Sequence, residues 1–128
     1  MLIAVLAVGG ACSGSGAERG LDPGGPIDPP TAERAILGLC EVGRTADPSA
    51  AEDVFHDRSH DALHGIAAAV EEVDRGVAAE LLTAKQRVEA DLASDRLPSA
   101  FPAHVDDLLD ATRRALEALG VPAPPCPA

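Results

Sequence analysis

Apolar residues recur along the chain at the three- and four-residue spacing that is typical of amphipathic helices. The clearest helix start is Asp47, an N-cap residue followed by Pro48, and the clearest stop is Gly120. Thr31, which follows two prolines, is a further N-cap candidate. The pattern predicts helices over residues 31–44, 48–73, 77–92 and 104–119.

No stretch alternates between apolar and polar residues as a strand does, so the pattern predicts an all-α protein. Short connections favour antiparallel neighbours, and hence a small antiparallel four-helix bundle over residues 31–120. Gly38 and Gly43 are expected to weaken the first helix, because glycine has a low helix propensity. The second helix is expected to bury one face, formed by Phe55, Ala62, Leu63, Ile66, Val70 and Val73.

Residues 1–11 are an apolar run and then small residues, directly before Cys12. Gly10 and Ala11 fit a lipoprotein signal peptide, whereas Gly9 replaces the usual aliphatic residue. No basic residue precedes the run, so we expect the true start to lie upstream. The alternative is an apolar N-terminus of a cytosolic protein. Residues 12–30 are rich in Gly, Ser and Pro and predict a disordered tether.

With this leader, its many alanines and one lysine against nine arginines, the chain resembles small uncharacterised lipoproteins of high-GC, actinobacterial-type bacteria. The resemblance implies export, lipidation of Cys12 and anchoring to the outer face of the cell membrane. It rests on residues 1–12 and on composition, so it implies no activity.

The formal net charge of -11 argues against nucleic-acid binding, because no basic stripe is present to neutralise phosphates. Aromatic residues make up only 2% of the chain, which argues against stacking platforms for bases. We therefore expect two partners: the membrane, which the chain would contact through a lipid on Cys12, and an unknown protein.

The chain has three cysteines, and assigning Cys12 to a lipid leaves Cys40 and Cys126. Outside the cytoplasm such a pair indicates a disulfide. The bridge would pin the Pro-rich tail, residues 121–128. In the chain-entropy model, closing this loop would stabilise the folded state by roughly 4 to 5 kcal/mol. The alternative is two unrelated buried thiols.

Three histidines recur at four-residue intervals in the second helix, at His56, His60 and His64. At 100° per residue, His56 would border the apolar face, His60 would lie further round the helix, and His64 would lie nearer the exposed side. Histidines four apart on a helix can chelate one ion, and imidazole with carboxylate suits Zn(II) or Cu(II).

Two ligand sets are open for such an ion. One is His56 and His60 with His104 from the fourth helix, and the other is His60 and His64 with Asp57 and Asp61. Ordinary boundary histidines and a pH-responsive patch are the alternatives to a metal site.

No catalytic constellation is evident in the sequence, and Ser59 beside the histidines lacks an oxyanion hole. We therefore expect a non-enzymatic protein with no certain cofactor. Two functions are consistent with the sequence: a lipid-anchored extracytoplasmic helical module for binding or assembly with an unknown partner, or divalent metal binding through the histidines.

Overall fold

The computed structural model describes residues 26–128, and this part of the chain is helical without any strand. Helix α1 is Pro29–Val42, α3 is Arg75–Leu92 and α4 is Phe101–Ala118. Helix α2 is continuous over residues 48–71 and consists of the α-helix Pro48–Val54, the π-helix Phe55–His60 and the α-helix Asp61–Glu71. The leader, Cys12 and most of the predicted tether lie outside the described residues.

Aspartates cap three of the four helices. Asp47 caps α2 as predicted, by accepting from the backbone N–H of Ala50 at 2.9 Å. The prediction that Thr31 caps α1 is wrong. The cap is Asp28, whose carboxylate accepts from the Thr31 N–H at 2.9 Å. The Thr31 side chain and this N–H together lower the pKa of Asp28. Two prolines can occupy the first turn because the first helical N–H groups need no intrahelical partner.

Helix α4 ends as the sequence predicts, at a glycine with positive φ. Gly120 has φ 69°, the left-handed region in which a Cβ is disfavoured. The N–H of Val121 donates to the Leu116 carbonyl at 2.9 Å, and that of Gly120 donates to the Glu117 carbonyl at 3.0 Å. This pattern is a Schellman motif, and residues 121–128 continue without regular secondary structure.

The core is built almost wholly from aliphatic residues and two phenylalanines. Helix α3 packs along α4, and α1 packs against both α2 and α4. The predicted burial of Val73 is wrong, because its side chain is 63% exposed. Helix α2 ends at Glu71, so Val73 lies in the turn before Asp74 and leaves the helical face. No described helix is long and apolar enough to cross a membrane.

Helices α1 and α2 approach closely at Gly38. A Cβ built at Gly38 would collide with Ser59 Oγ and lie 2.8 Å from Arg58 Cβ. The Ser59 hydroxyl is fully buried and donates to the Ala35 carbonyl at 3.1 Å. The sequence indicated only that Gly38 weakens α1; in the structure its missing side chain is what lets α2 approach.

Cys40 and Cys126 lie at disulfide distance, as predicted, with their sulfur atoms 1.99 Å apart. Cys40 is buried in α1, whereas Cys126 is partly exposed in the tail. Arg44 Nη2 also donates to the Pro127 carbonyl at 2.5 Å. The tail is therefore attached to the α1 region by one covalent link and one hydrogen bond.

Candidate functional site

The histidines lie on and just after the π-helical segment Phe55–His60. A π-helix has wider turns than an α-helix, and single π turns inside helices are frequent at functional sites. Two buried side chains, Phe55 and Ser59, hold this segment on its inner side. On both sides of the segment α2 approaches α3 within 8 Å between Cα atoms, but the segment itself does not.

The three imidazoles form a row along α2. The ring centre of His60 lies 5.0 Å from that of His56 and 4.7 Å from that of His64. The predicted order of burial is wrong, because His56 is 52% exposed while His60 is 27% exposed. The wider π turn rotates these positions away from the 100° register that the prediction assumed.

His60 reaches from α2 to polar side chains of α3. Its Nδ1 is buried and lies 3.2 Å from Glu89 Oε1, but the geometry is not that of a hydrogen bond, so Nδ1 has no hydrogen-bond partner. The Phe55 ring packs edge-on at 5.8 Å between ring centres. Burial lowers the pKa of His60 below 6.5, with smaller lowering from Lys85 and His64, while Glu89 acts in the opposite direction.

A second polar residue of α3 beside Glu89 is Lys85, which is only 3% exposed. Its Nζ donates to Glu89 Oε1 at 2.5 Å, so the buried ammonium is paired, as burial requires. The sequence analysis missed this residue. The signal was present, because the chain's single lysine follows Leu81 by four positions and precedes Val88 by three, on the apolar stripe of α3.

The other candidate ligands do not join the histidine row. His104 Nδ1 lies 2.6 Å from Asp91 Oδ2 and forms a separate pair between α4 and α3. Asp57 and Asp61 are exposed on α2. Within residues 26–128, no three His, Cys, Asp or Glu side chains are grouped so as to hold a metal ion. The structure therefore leaves His56, His60 and His64 together and assembles neither of the two larger predicted sets.

The hydroxyl beside the histidines is already engaged. Ser59 points away from solvent and donates to a carbonyl of α1, and Thr112 donates to the Leu108 carbonyl at 2.7 Å. Both hydroxyls serve helix packing, so neither is free to act as a nucleophile in this arrangement.

Comparisons of the chain with family models, with curated proteins and with solved structures found no match.

Proposed function

We propose that the chain is a lipid-anchored extracytoplasmic protein, in which a small antiparallel four-helix bundle is held at the outer face of the cell membrane by a lipid on Cys12. The observation that carries this proposal is the pairing of Cys40 with Cys126. It accounts for two of the chain's three cysteines, and the remaining one follows an apolar run and two small residues.

The disulfide supports an oxidising compartment, since structural disulfides persist outside the cytoplasm and are rare within it. The helices support the bundle. Connections of a few residues join α1 to α2 and α2 to α3, and short connections favour antiparallel neighbours. A domain with two phenylalanines and no Trp or Tyr also gains from a covalent link, because its small core supplies limited stability.

For the bundle itself, we propose a role in binding or assembly with a partner protein. The support is the engagement of Ser59 and Thr112 in helix packing and of two thiols in a disulfide. The acidic surface, with a formal net charge of -11, favours a protein partner over nucleic acid.

Anchoring is tested on the chromosomal copy, tagged after Ala128, so that any upstream start is retained. Cells are fed an alkyne-labelled fatty acid, and the tagged protein is examined by fractionation and in-gel fluorescence. We expect label and membrane recovery for the parent chain, and loss of both for Cys12→Ser. The matched control, Cys40→Ser, should keep the label because its cysteine lies in the disulfide. An unlabelled parent chain, or label that survives Cys12→Ser, would refute the proposal.

A further inference from the structure

We propose that His60 and His64 chelate one divalent transition-metal ion, such as Zn(II) or Cu(II), through the exposed edges of their rings, with Glu89 lying behind the His60 ring. This site is independent of membrane anchoring. It uses only two of the histidines in the row and none of Asp57, Asp61 or His104.

The spacing of the two rings suits one shared ion. Two imidazoles that share an ion at about 2.1 Å per nitrogen, with an angle near 90–110°, have ring centres roughly 4.5–5.3 Å apart. The His60 and His64 ring centres are 4.7 Å apart, and the rings are inclined by 78°. Only side-chain rotations are then needed to bring the two nitrogens to one ion.

The two nitrogens of the His60 ring have different surroundings. Its Nδ1 is the buried nitrogen, facing Glu89, so the exposed quarter of the side chain lies on the Nε2 side. Metal-binding histidines usually offer their other ring nitrogen to a carboxylate or carbonyl, which fixes the tautomer and the ring orientation. Glu89 is in place for that role at 3.2 Å, and a small ring rotation would complete the hydrogen bond.

The charge beside the His60 ring is also compatible with a bound cation. The positive charge of Lys85 does not oppose a cation at full strength, because Glu89 is bonded to it at 2.5 Å.

His64 is preferred to His56 as the second ligand. His56 Nε2 lies 3.8 Å from Glu52 Oε1, which draws that ring toward the start of α2. Within the described part of the chain, His64 is exposed and has neither a hydrogen bond nor an ion pair. Since no third side chain converges there, water would fill the remaining positions, and imidazole ligands select Zn(II) or Cu(II) over Mg(II) and Ca(II).

The test is calorimetric titration with ZnCl2 at pH 7.5 of the full chain carrying Cys12→Ser, because a free thiol would itself bind zinc. We expect one zinc ion per chain, with Kd in the range of about 1–100 µM. His64→Ala, which changes an exposed side chain, should weaken binding at least about tenfold, as should His60→Ala. The matched controls, His56→Ala and His104→Ala, should change Kd by less than about threefold.

Histidine nitrogen NMR spectra then identify the ligating atom. We expect zinc to shift the Nε2 resonance of His60 while Nδ1 stays protonated. Three results would overturn the proposal: no binding below about 1 mM zinc, loss of binding in His56→Ala but not in His64→Ala, or ligation through Nδ1 of His60. Far-UV circular dichroism of each variant separates loss of a ligand from loss of the fold.

Discussion

The contact between α1 and α2 at Gly38 allows a stability prediction whose sign opposes simple helix propensity. Gly38→Ala places a methyl group against Ser59 Oγ and 2.8 Å from Arg58 Cβ. Arg58 Cβ cannot rotate away and the Ser59 hydroxyl is fully buried, so the helices must move apart. Overpacking of this kind costs about 1–3 kcal/mol, and the strained Ser59–Ala35 hydrogen bond adds about 1 kcal/mol. The gain in helix propensity is about 1 kcal/mol.

We therefore expect Gly38→Ala to lower the free energy of unfolding by about 1–3 kcal/mol, which corresponds to a fall in Tm of about 5–20 °C for a domain of this size. Thermal and urea unfolding followed by far-UV circular dichroism measure both quantities. The matched control is Gly76→Ala in the first turn of α3, where the nearest atom is Asp74 Oδ1 at 3.3 Å, a much milder contact that needs a shift of only a few tenths of an ångström. That substitution should change the free energy of unfolding by less than about 1 kcal/mol.

A double variant tests the assigned cause. Ser59→Ala removes the oxygen that the new methyl group meets, so Gly38→Ala combined with Ser59→Ala should lose less stability than the two single changes added together. If Gly38→Ala were as stable as the parent chain, or more stable, the close approach of α1 and α2 would not limit packing and the reasoning would be wrong.

Three further predictions concern charge, the tail and a helix cap. Because folding lowers the pKa of His60, the unfolded chain takes up this proton first, so stability is fully present above about pH 6.5 and declines as the pH falls through that value. Urea titrations in EDTA between pH 5 and 8 should show this decline, and His60→Gln should reduce it; an unchanged slope would contradict the assignment. Cys126→Ser should cost roughly 4 to 5 kcal/mol in the chain-entropy model, and an equal midpoint of urea unfolding with and without a dithiol reductant would exclude a stabilising bridge. Asp74→Ala should cost about 1 kcal/mol, because its carboxylate accepts from the Val77 N–H at 3.1 Å, whereas Asp74→Asn should retain most of that stability in the same denaturation assay.

Much of the local structure could be predicted because its causes are local. The Asp47-Pro48 start and the Gly120 stop depend on neighbouring backbone groups, and both are found as expected. The start of α1 was misplaced by a few residues because Asp28 and Thr31 are both good caps and two prolines separate them. Spacing alone does not decide between two competent caps.

The site was less predictable because it depends on contacts distant in sequence. A regular helical wheel placed His56 at the core edge, but the π-helix Phe55–His60 makes His60 the more buried ring. His60 lies against residues of α3, and the buried Lys85 lies on a stripe of α3 that is otherwise apolar. Hydrophobic periodicity alone assigns no role to a polar residue at such a position.

The sequence by itself determined the helical class, most helix ends and the candidate pairing of Cys40 with Cys126, because periodicity, capping and cysteine count act through composition and short-range geometry. Only the tertiary structure decided that α2 packs closely against α1 at Gly38 and that α2 contains a π turn. It also decided that His60 faces Glu89 and that His104 pairs with Asp91. These features follow from how close two helices come and at what rotation. Both are set by the packing of side chains from several helices at once.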